Sequence, residues 1–187
     1  IKERNMSNFE LYNLETAPKA AKPLLEKSIK GFGMLPNLHA IMAESPALLD
    51  AYQKLHELAQ NASFDKDELT VVWQTINVEH GCHYCVPAHT AIANMMSVDA
   101  EITEALRNQS PLKSVKLETL RDTTLLMVRN RGIVEQADID TFYTAGFNKQ
   151  NLLDIVLILA QKVMSNFTNH LAETPVDDAF QTFSWSK

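Results

Sequence analysis

Apolar residues recur along this chain at helical rather than strand spacing. Leu69, Val72, Trp73 and Ile76 fall at i, i+3, i+4 and i+7. They form one face of a helix, and that spacing outweighs the β-branched residues among them. Ser45-Pro46 reads as a helix start, with Ser as N-cap and Pro at the first position, running to about Asn61. A short first helix is expected over Ala20–Ile29, and further helices over Asp99–Arg107, Ser114–Arg131, Glu135–Ala145 and Asn151–Leu171. The second of these ends on Arg129, Arg131 and Gly132, as a helix C-terminus should. Five glycines in 187 residues leave few hairpin signals. The pattern predicts an all-α chain forming one compact domain of about eight helices.

One segment departs from amphipathic spacing. Leu152, Leu153, Ile155, Val156, Leu157, Ile158, Leu159 and Ala160 are apolar almost all round. A helix with no polar face is expected to be buried on every side. Asp154 interrupts a run already shorter than the ~20 residues a membrane span needs. Two readings stay open, burial within the domain core or burial partly against a second subunit.

Composition narrows the function classes. Hydrophobic residues make up 45% and charged residues 21%, ordinary for a globular protein. The net charge of −6, with no basic stripe to offset it, argues against a nucleic-acid partner. The first residues hold no apolar signal segment, so a cytoplasmic location is expected, with no membrane association. Residues Ile1–Asn5 precede Met6 and are either native or added.

The chemistry concentrates in Glu79-His80-Gly81-Cys82-His83-Tyr84-Cys85-Val86-Pro87-Ala88-His89. This stretch holds both cysteines and three of the six histidines. A C-x-x-C pair can close a disulfide and reopen it, and in a reducing cytosol such a disulfide is transient. The thiolate is the attacking species, and a free cysteine near pKa ~8.5 is mostly protonated at neutral pH. On a helix, positions i and i+4 lie about 40° apart, which sets His89 beside Cys85, and Cys82 about 60° away on the same side. Gly81 gives the turn its backbone freedom, and Pro87 requires a helix start between Gly81 and Val86. The helix then runs to about Met96, and its unpaired first N–H groups favour a thiolate.

Competing readings of the same residues are half of a zinc site and a purely structural cysteine pair. A structural zinc needs four ligands, and no second cysteine pair exists. Covalent haem attachment is excluded because Val86, not histidine, follows Cys85. No metal, haem, flavin or nucleotide motif is visible, so no cofactor is expected. His80 and His83 read as exposed polar residues. His39, His56 and His170 read as surface or satisfied core. Met95 and Met96 read as core, or as the lining of an apolar approach to the thiols.

The motif Cys82-x-Tyr84-Cys85-x-x-x-His89 in an all-helical chain resembles the alkylhydroperoxidase D (AhpD)-like branch of the carboxymuconolactone decarboxylase family. Gly33-Met34-Leu35-Pro36-Asn37, Ser45-Pro46 and Asn166-x-x-Asn169-His170-Leu171 add to the likeness, which covers roughly residues 15–180. It implies an AhpD-like helical domain over residues 15–187 after an N-terminal extension of residues 1–14. It also implies that Cys85 attacks a peroxide and Cys82 resolves the product, with His89 paired to a glutamate in a proton relay. The family's relay glutamate falls where this chain has Thr70. Glu79, three residues before Cys82, is the favoured substitute. Glu68 is the alternative, turned about 200° from Thr70 on a helix. Tyr84 stands where some members have histidine. Its phenol can donate a hydrogen bond but titrates too high to act as a base.

The resulting expectation is a thiol-dependent peroxidase or disulfide reductase. His89 would act as base for Cys85, an imidazolium favouring the thiolate, with Glu79 holding its tautomer. The substrate would be a small-molecule peroxide, and a lipoyl-bearing or thioredoxin-like dithiol would reopen the disulfide. The resemblance also implies a homo-oligomer, whether dimer, trimer or hexamer. The alternatives are a lactone decarboxylase, weakened by the C-x-x-C, and a non-catalytic redox sensor.

Overall fold

Prolines, side-chain caps and glycines set where the helices of this chain begin and end. The structure, a computed structural model, describes residues 9–187. Among these, nine α-helices succeed one another. They are α1 (Lys22–Phe32), α2 (Asn37–Met42), α3 (Pro46–Gln60), α4 (Lys66–Glu79), α5 (Cys85–Met95), α6 (Ala100–Arg107), α7 (Val115–Arg129), α8 (Gln136–Thr144) and α9 (Lys149–Ala172). A 3-10 turn (Asp178–Phe183) follows, and no strand occurs among the described residues. The all-α expectation holds, with α2 and the 3-10 turn as additions. Residues 1–8 of the expected extension, including the segment before Met6, lie outside the described residues.

Local chemistry accounts for the boundaries. Helix α1 carries Pro23 in its first turn and stops at Gly33, whose φ of 71° is left-handed. It therefore runs three residues past Ile29. Helix α3 begins at Pro46 as expected, but the Ser45 side chain makes no capping bond. Helix α4 opens on a reciprocal capping box. Asp65 accepts from the N–H groups of Asp67 and Glu68, and the Glu68 carboxylate accepts from the Asp65 N–H. Helix α9 opens on the same device built from Asn148 and Asn151, which starts it two residues before the expected Asn151.

Helix α4 is the axis of the fold. Every residue from Glu68 to Val78 is buried, and the helix packs against α5, α6, α7 and α9. Two apolar clusters flank it. The first joins Trp73 and Ile76 to Leu106, Leu120, Met127, Phe142, Ile155 and Ile158. Burying a side chain of this kind contributes about 1.5–3 kcal/mol, so this cluster is the main scaffold. The second gathers Leu25, Leu38, Met42, Leu49 and Tyr52 around Cys82, Tyr84 and Cys85. The cysteine turn thus sits inside an apolar shell built by α1, α2 and α3.

Helix α9 differs from its expected all-round burial. Ile155 and Ile158 are fully buried, but Leu153 is 70% and Val156 51% exposed. Phe167 and Leu171 continue this outward stripe. No helix among the described residues is long and apolar enough to cross a membrane.

Candidate active site

The cysteine turn joins the end of α4 to the start of α5. Gly81 turns the chain at a φ of 66°, which L side chains rarely adopt. The Cys82 N–H donates to the Asn77 carbonyl at 3.0 Å. Cys85 is the first residue of α5, and its N–H donates to Cys82 Sγ at 3.2 Å. The sulfur of Cys82 thus accepts an N–H that the helix start leaves unpaired. Pro87 lies in this first turn, where its missing N–H costs nothing. Both cysteines are free thiols and both are buried.

Helix α9 completes the surroundings of the sulfurs. The Asn169 amide donates to Cys85 Sγ at 3.2 Å, and its nitrogen lies 4.0 Å from Cys82 Sγ. Burial raises the Cys85 thiol, but the Cys82 hydrogen bond, the Lys162 charge, Asn169 and Asn166 outweigh it and bring the value below that of an ordinary thiol. Cys82 moves the other way, raised first by burial and then by its hydrogen bond to Cys85. The two sulfurs therefore divide into a thiolate-favouring Cys85 and a thiol-favouring Cys82.

His89 lies one turn below Cys85 on α5, as its spacing predicted, but its partner is not a glutamate. Its Nε2 meets the Nζ of Lys162 at 2.8 Å. Its Nδ1 is buried and has no hydrogen-bond partner among the described residues. The ring packs edge-on against Trp73, with centroids 4.7 Å apart. Burial first, then the Lys162 charge and His56, hold its pKa well below the ordinary imidazole range. His89 is thus a neutral imidazole, and the expected imidazolium is replaced by the Lys162 ammonium.

Both candidate relay glutamates are committed elsewhere. Glu79 pairs with Arg129, its two oxygens at 2.7 and 2.9 Å from Nε and Nη2. That bond lowers the Glu79 pKa against the effect of burial. Glu68 serves the α4 capping box and pairs with Lys116 at 2.6 Å. Neither glutamate holds the His89 tautomer. The physical reason is directional: Glu79 ends α4 at the rim, and Glu68 starts it at the opposite end. Thr70, at the position the resemblance assigns to the relay glutamate, bonds the Lys66 carbonyl of its own helix.

Tyr84 acts as a structural latch. Its hydroxyl donates to Asp177 Oδ2 and accepts from the Leu38 N–H at 3.3 Å. Asp177 also accepts from the Asn37 N–H at 3.0 Å, which caps α2. His83 joins the Thr174 carbonyl at 2.9 Å, and His80 joins Asn166 at 2.8 Å. These two histidines are half-buried and engaged, not the exposed polar residues expected. The two residues between the cysteines thus hold the segment that follows α9. No group of three or more His, Cys, Asp or Glu side chains among the described residues converges as a metal site would.

A cavity of about 690 Å³ reaches the site. Cys85, His89 and Lys162 line it, and Cys82 does not. Its other walls are mostly apolar, including Phe32, Ile92, Met95, Met96 and Phe180. Met95 and Met96 therefore flank the approach to the thiol, and Met95 is 82% exposed rather than core. The arrangement offers a thiolate-favouring sulfur, a second sulfur beside it and the Lys162–His89 pair, at the end of an apolar passage.

The fold has solved counterparts. An uncharacterised peroxidase-related protein from Silicibacter sp. TM1040 superposes with a TM-score of 0.77 at 20% identity, covering 96% of each chain. An AhpD-core peroxidase-related protein from Ralstonia eutropha JMP134 gives 0.76 at 19% identity, covering 95% of this chain and 96% of that one. A cysteine-to-alanine form of the debrominase Bmp8, in complex with 2,3,4-tribromopyrrole, gives 0.76 at 15% identity and covers 97% and 96%. Sequence comparison with known families and with curated proteins finds no match. The chain therefore has the AhpD-like all-helical fold, as its motif implied.

Proposed function

We propose that this protein is a dithiol-dependent reductase of the AhpD type, acting as a peroxidase on apolar organic hydroperoxides. The observation that carries this reading is the placement of Cys85. Its sulfur accepts from Asn169, lines the apolar cavity, and has Cys82 directly behind it. The Cys85 thiolate attacks the terminal peroxide oxygen, becoming a sulfenic acid and releasing an alcohol. The Cys82 thiol then condenses with that sulfenic acid, forming the disulfide and water. An external dithiol, lipoyl-bearing or thioredoxin-like, reopens the disulfide in the cytoplasm.

A debrominase reading shares the same dithiol. It draws support from the likeness to Bmp8 and from a cavity whose walls suit a halogenated aromatic ring. One experiment separates the two. The protein, supplied with dihydrolipoamide, is offered cumene hydroperoxide or 2,3,4-tribromopyrrole. Loss of hydroperoxide is expected, and Cys85→Ser should abolish it. Cys82→Ser should stop turnover but trap one oxygen on Cys85, seen by mass spectrometry. Bromide release without hydroperoxide loss would replace the peroxidase with the debrominase. Oxidation trapped on Cys82 in Cys85→Ser would reverse the roles of the sulfurs.

We also propose a homo-oligomer whose contact includes the outward stripe of α9, where Leu153, Val156, Phe167 and Leu171 stand exposed. Static light scattering at micromolar concentration tests this. A mass near 21.0 kDa would make the stripe an ordinary monomer surface.

A further inference from the structure

Lys162 is fully buried, an unusual position for a lysine. Its Nζ meets His89 Nε2 at 2.8 Å. The titratable groups around it are Tyr52 and His56 from α3, and Cys82, Cys85 and His89 from the cysteine turn and α5. No carboxylate is among them. Among the described residues, the anion placed to balance the Lys162 ammonium is therefore the thiolate of the pair itself.

That balance is lost when the thiolate reacts. Once Cys85 becomes a sulfenic acid, a buried ammonium would remain with no countercharge, which is strongly unfavourable. The leaving alkoxide, meanwhile, needs a proton. The hydrogen bonds show a route between the two. An ammonium only donates, so His89 Nε2 must accept from it and the ring proton sits on Nδ1. Nδ1 is buried and unpartnered, and His89 lines the cavity.

We propose that Lys162 is the proton source of the site, acting through His89. His89 gives its Nδ1 proton to the leaving oxygen as Cys85 attacks, and the Lys162 ammonium replaces that proton at Nε2. The balance closes. Thiolate, ammonium and ROOH become sulfenic acid, neutral amine and ROH, so the buried site carries no net charge before or after. The Cys82 thiol proton then leaves with the sulfenic hydroxyl as water. An ammonium–imidazole pair thus takes the place the expected carboxylate–imidazole relay would hold. His89 is the catalytic residue, and Lys162 is its positioning and proton-supplying partner. This inference rests on the thiol-reductase reading above.

Leaving-group basicity tests it. The reduced full chain is reacted in single turnover, at a pH where Cys85 is already thiolate by alkylation, with three probes. Cumene hydroperoxide releases a basic alkoxide, bis(2-hydroxyethyl) disulfide a moderately basic thiolate, and 2,2′-dithiodipyridine a weakly basic one. Lys162→Met and Lys162→Gln should slow cumene hydroperoxide by about 100-fold or more. They should slow the alkyl disulfide less, and 2,2′-dithiodipyridine least. The dithiodipyridine rate also reports that each variant is folded with a competent thiol. Equal losses on all three probes would overturn the proposal and leave Lys162 as a charge for the thiolate alone. Retained hydroperoxide rates in Lys162→Gln would overturn it too, since that amide donates a hydrogen bond but supplies no proton. If the unmodified protein ignores cumene hydroperoxide, the peroxidase reading fails. The contrast between the two disulfides then decides the role of Lys162 by itself.

Discussion

Two charged regions border the cysteine turn, and they behave in opposite ways. At the rim, Glu79 and Arg129 form a two-bonded ion pair at the end of α4, with Arg129 about half exposed. Inside, Lys162 is fully buried and hydrogen-bonds a neutral imidazole, with no carboxylate beside it among the described residues. The rim pair is complete in itself, and water screens it, so it is worth about 0–1 kcal/mol. The inner cation is incomplete, because burial lowers its affinity for a proton while the cysteine charges raise it. A charge left incomplete in the interior is tied to the state of its partner, here the redox state of the thiols. Closeness in sequence to the cysteines pointed to the rim, and closeness in space selects the interior.

The largest contrast is the leaving-group series at Lys162, where a loss of about 100-fold or more is expected. No rim residue should reproduce it. The next test uses pH. His39 and His56 share the interior with Lys162, and burial is the first cause of their lowered values, about 3 and about 4 against the ordinary 6.5. His39 holds Ser28 at 2.8 Å, and His56 holds Gln161 at 3.0 Å. The sign follows from the direction. Below pH 6.5 the unfolded chain takes up protons that the fold refuses, so stability is complete above that pH. It is lost as the pH falls toward about 4 and then about 3. Together the two groups should remove about 3 kcal/mol between pH 8 and pH 5.5, measured by urea unfolding. Substituting His39 by Gln should flatten this dependence, whereas Arg129→Gln should not. An unchanged unfolding free energy at pH 5.5 would show that these rings accept protons in the fold.

Helices α3, α4, α7, α8 and α9 announced themselves by apolar spacing, proline or a terminal glycine. Helix α2 did not, because its six residues are too few to show a repeat and all but the first are buried. Cys82, Cys85 and His89 were legible because one helical turn joins them. Lys162 was not, and Asn169 carried the resemblance without a role; they lie 73 and 84 residues from their partners on a helix that reads as apolar. A signal for them existed. Gln161, Lys162, Ser165, Asn166 and Asn169 fall at helical spacing and are all fully buried. A polar stripe on an otherwise apolar helix marks the side that faces a site, not the side that faces water. Tyr84 reads as a hydrogen-bond donor, and the acceptor its hydroxyl finds is Asp177. Asp177 belongs to the segment after α9, which no periodicity revealed.

The smallest expected effect belongs to Glu79, the residue favoured from sequence. If the rim pair is self-contained, Glu79→Gln removes one screened ion pair and leaves the thiols untouched. Hydroperoxide turnover should then change by less than about twofold, and stability by about 1 kcal/mol or less. Arg129→Gln should match it in both readouts, because each substitution removes the same ion pair. Glu79 is lowered first by its Arg129 bond, so the unmodified protein should shed this small contribution as the pH falls, and the variant should not. The comparison breaks in one case. A large loss of turnover in Glu79→Gln, with Arg129→Gln unaffected, would mean that the glutamate leaves its arginine during the reaction and reaches the imidazole. The proton would then come from a carboxylate at the rim, and Lys162 would keep only its charge.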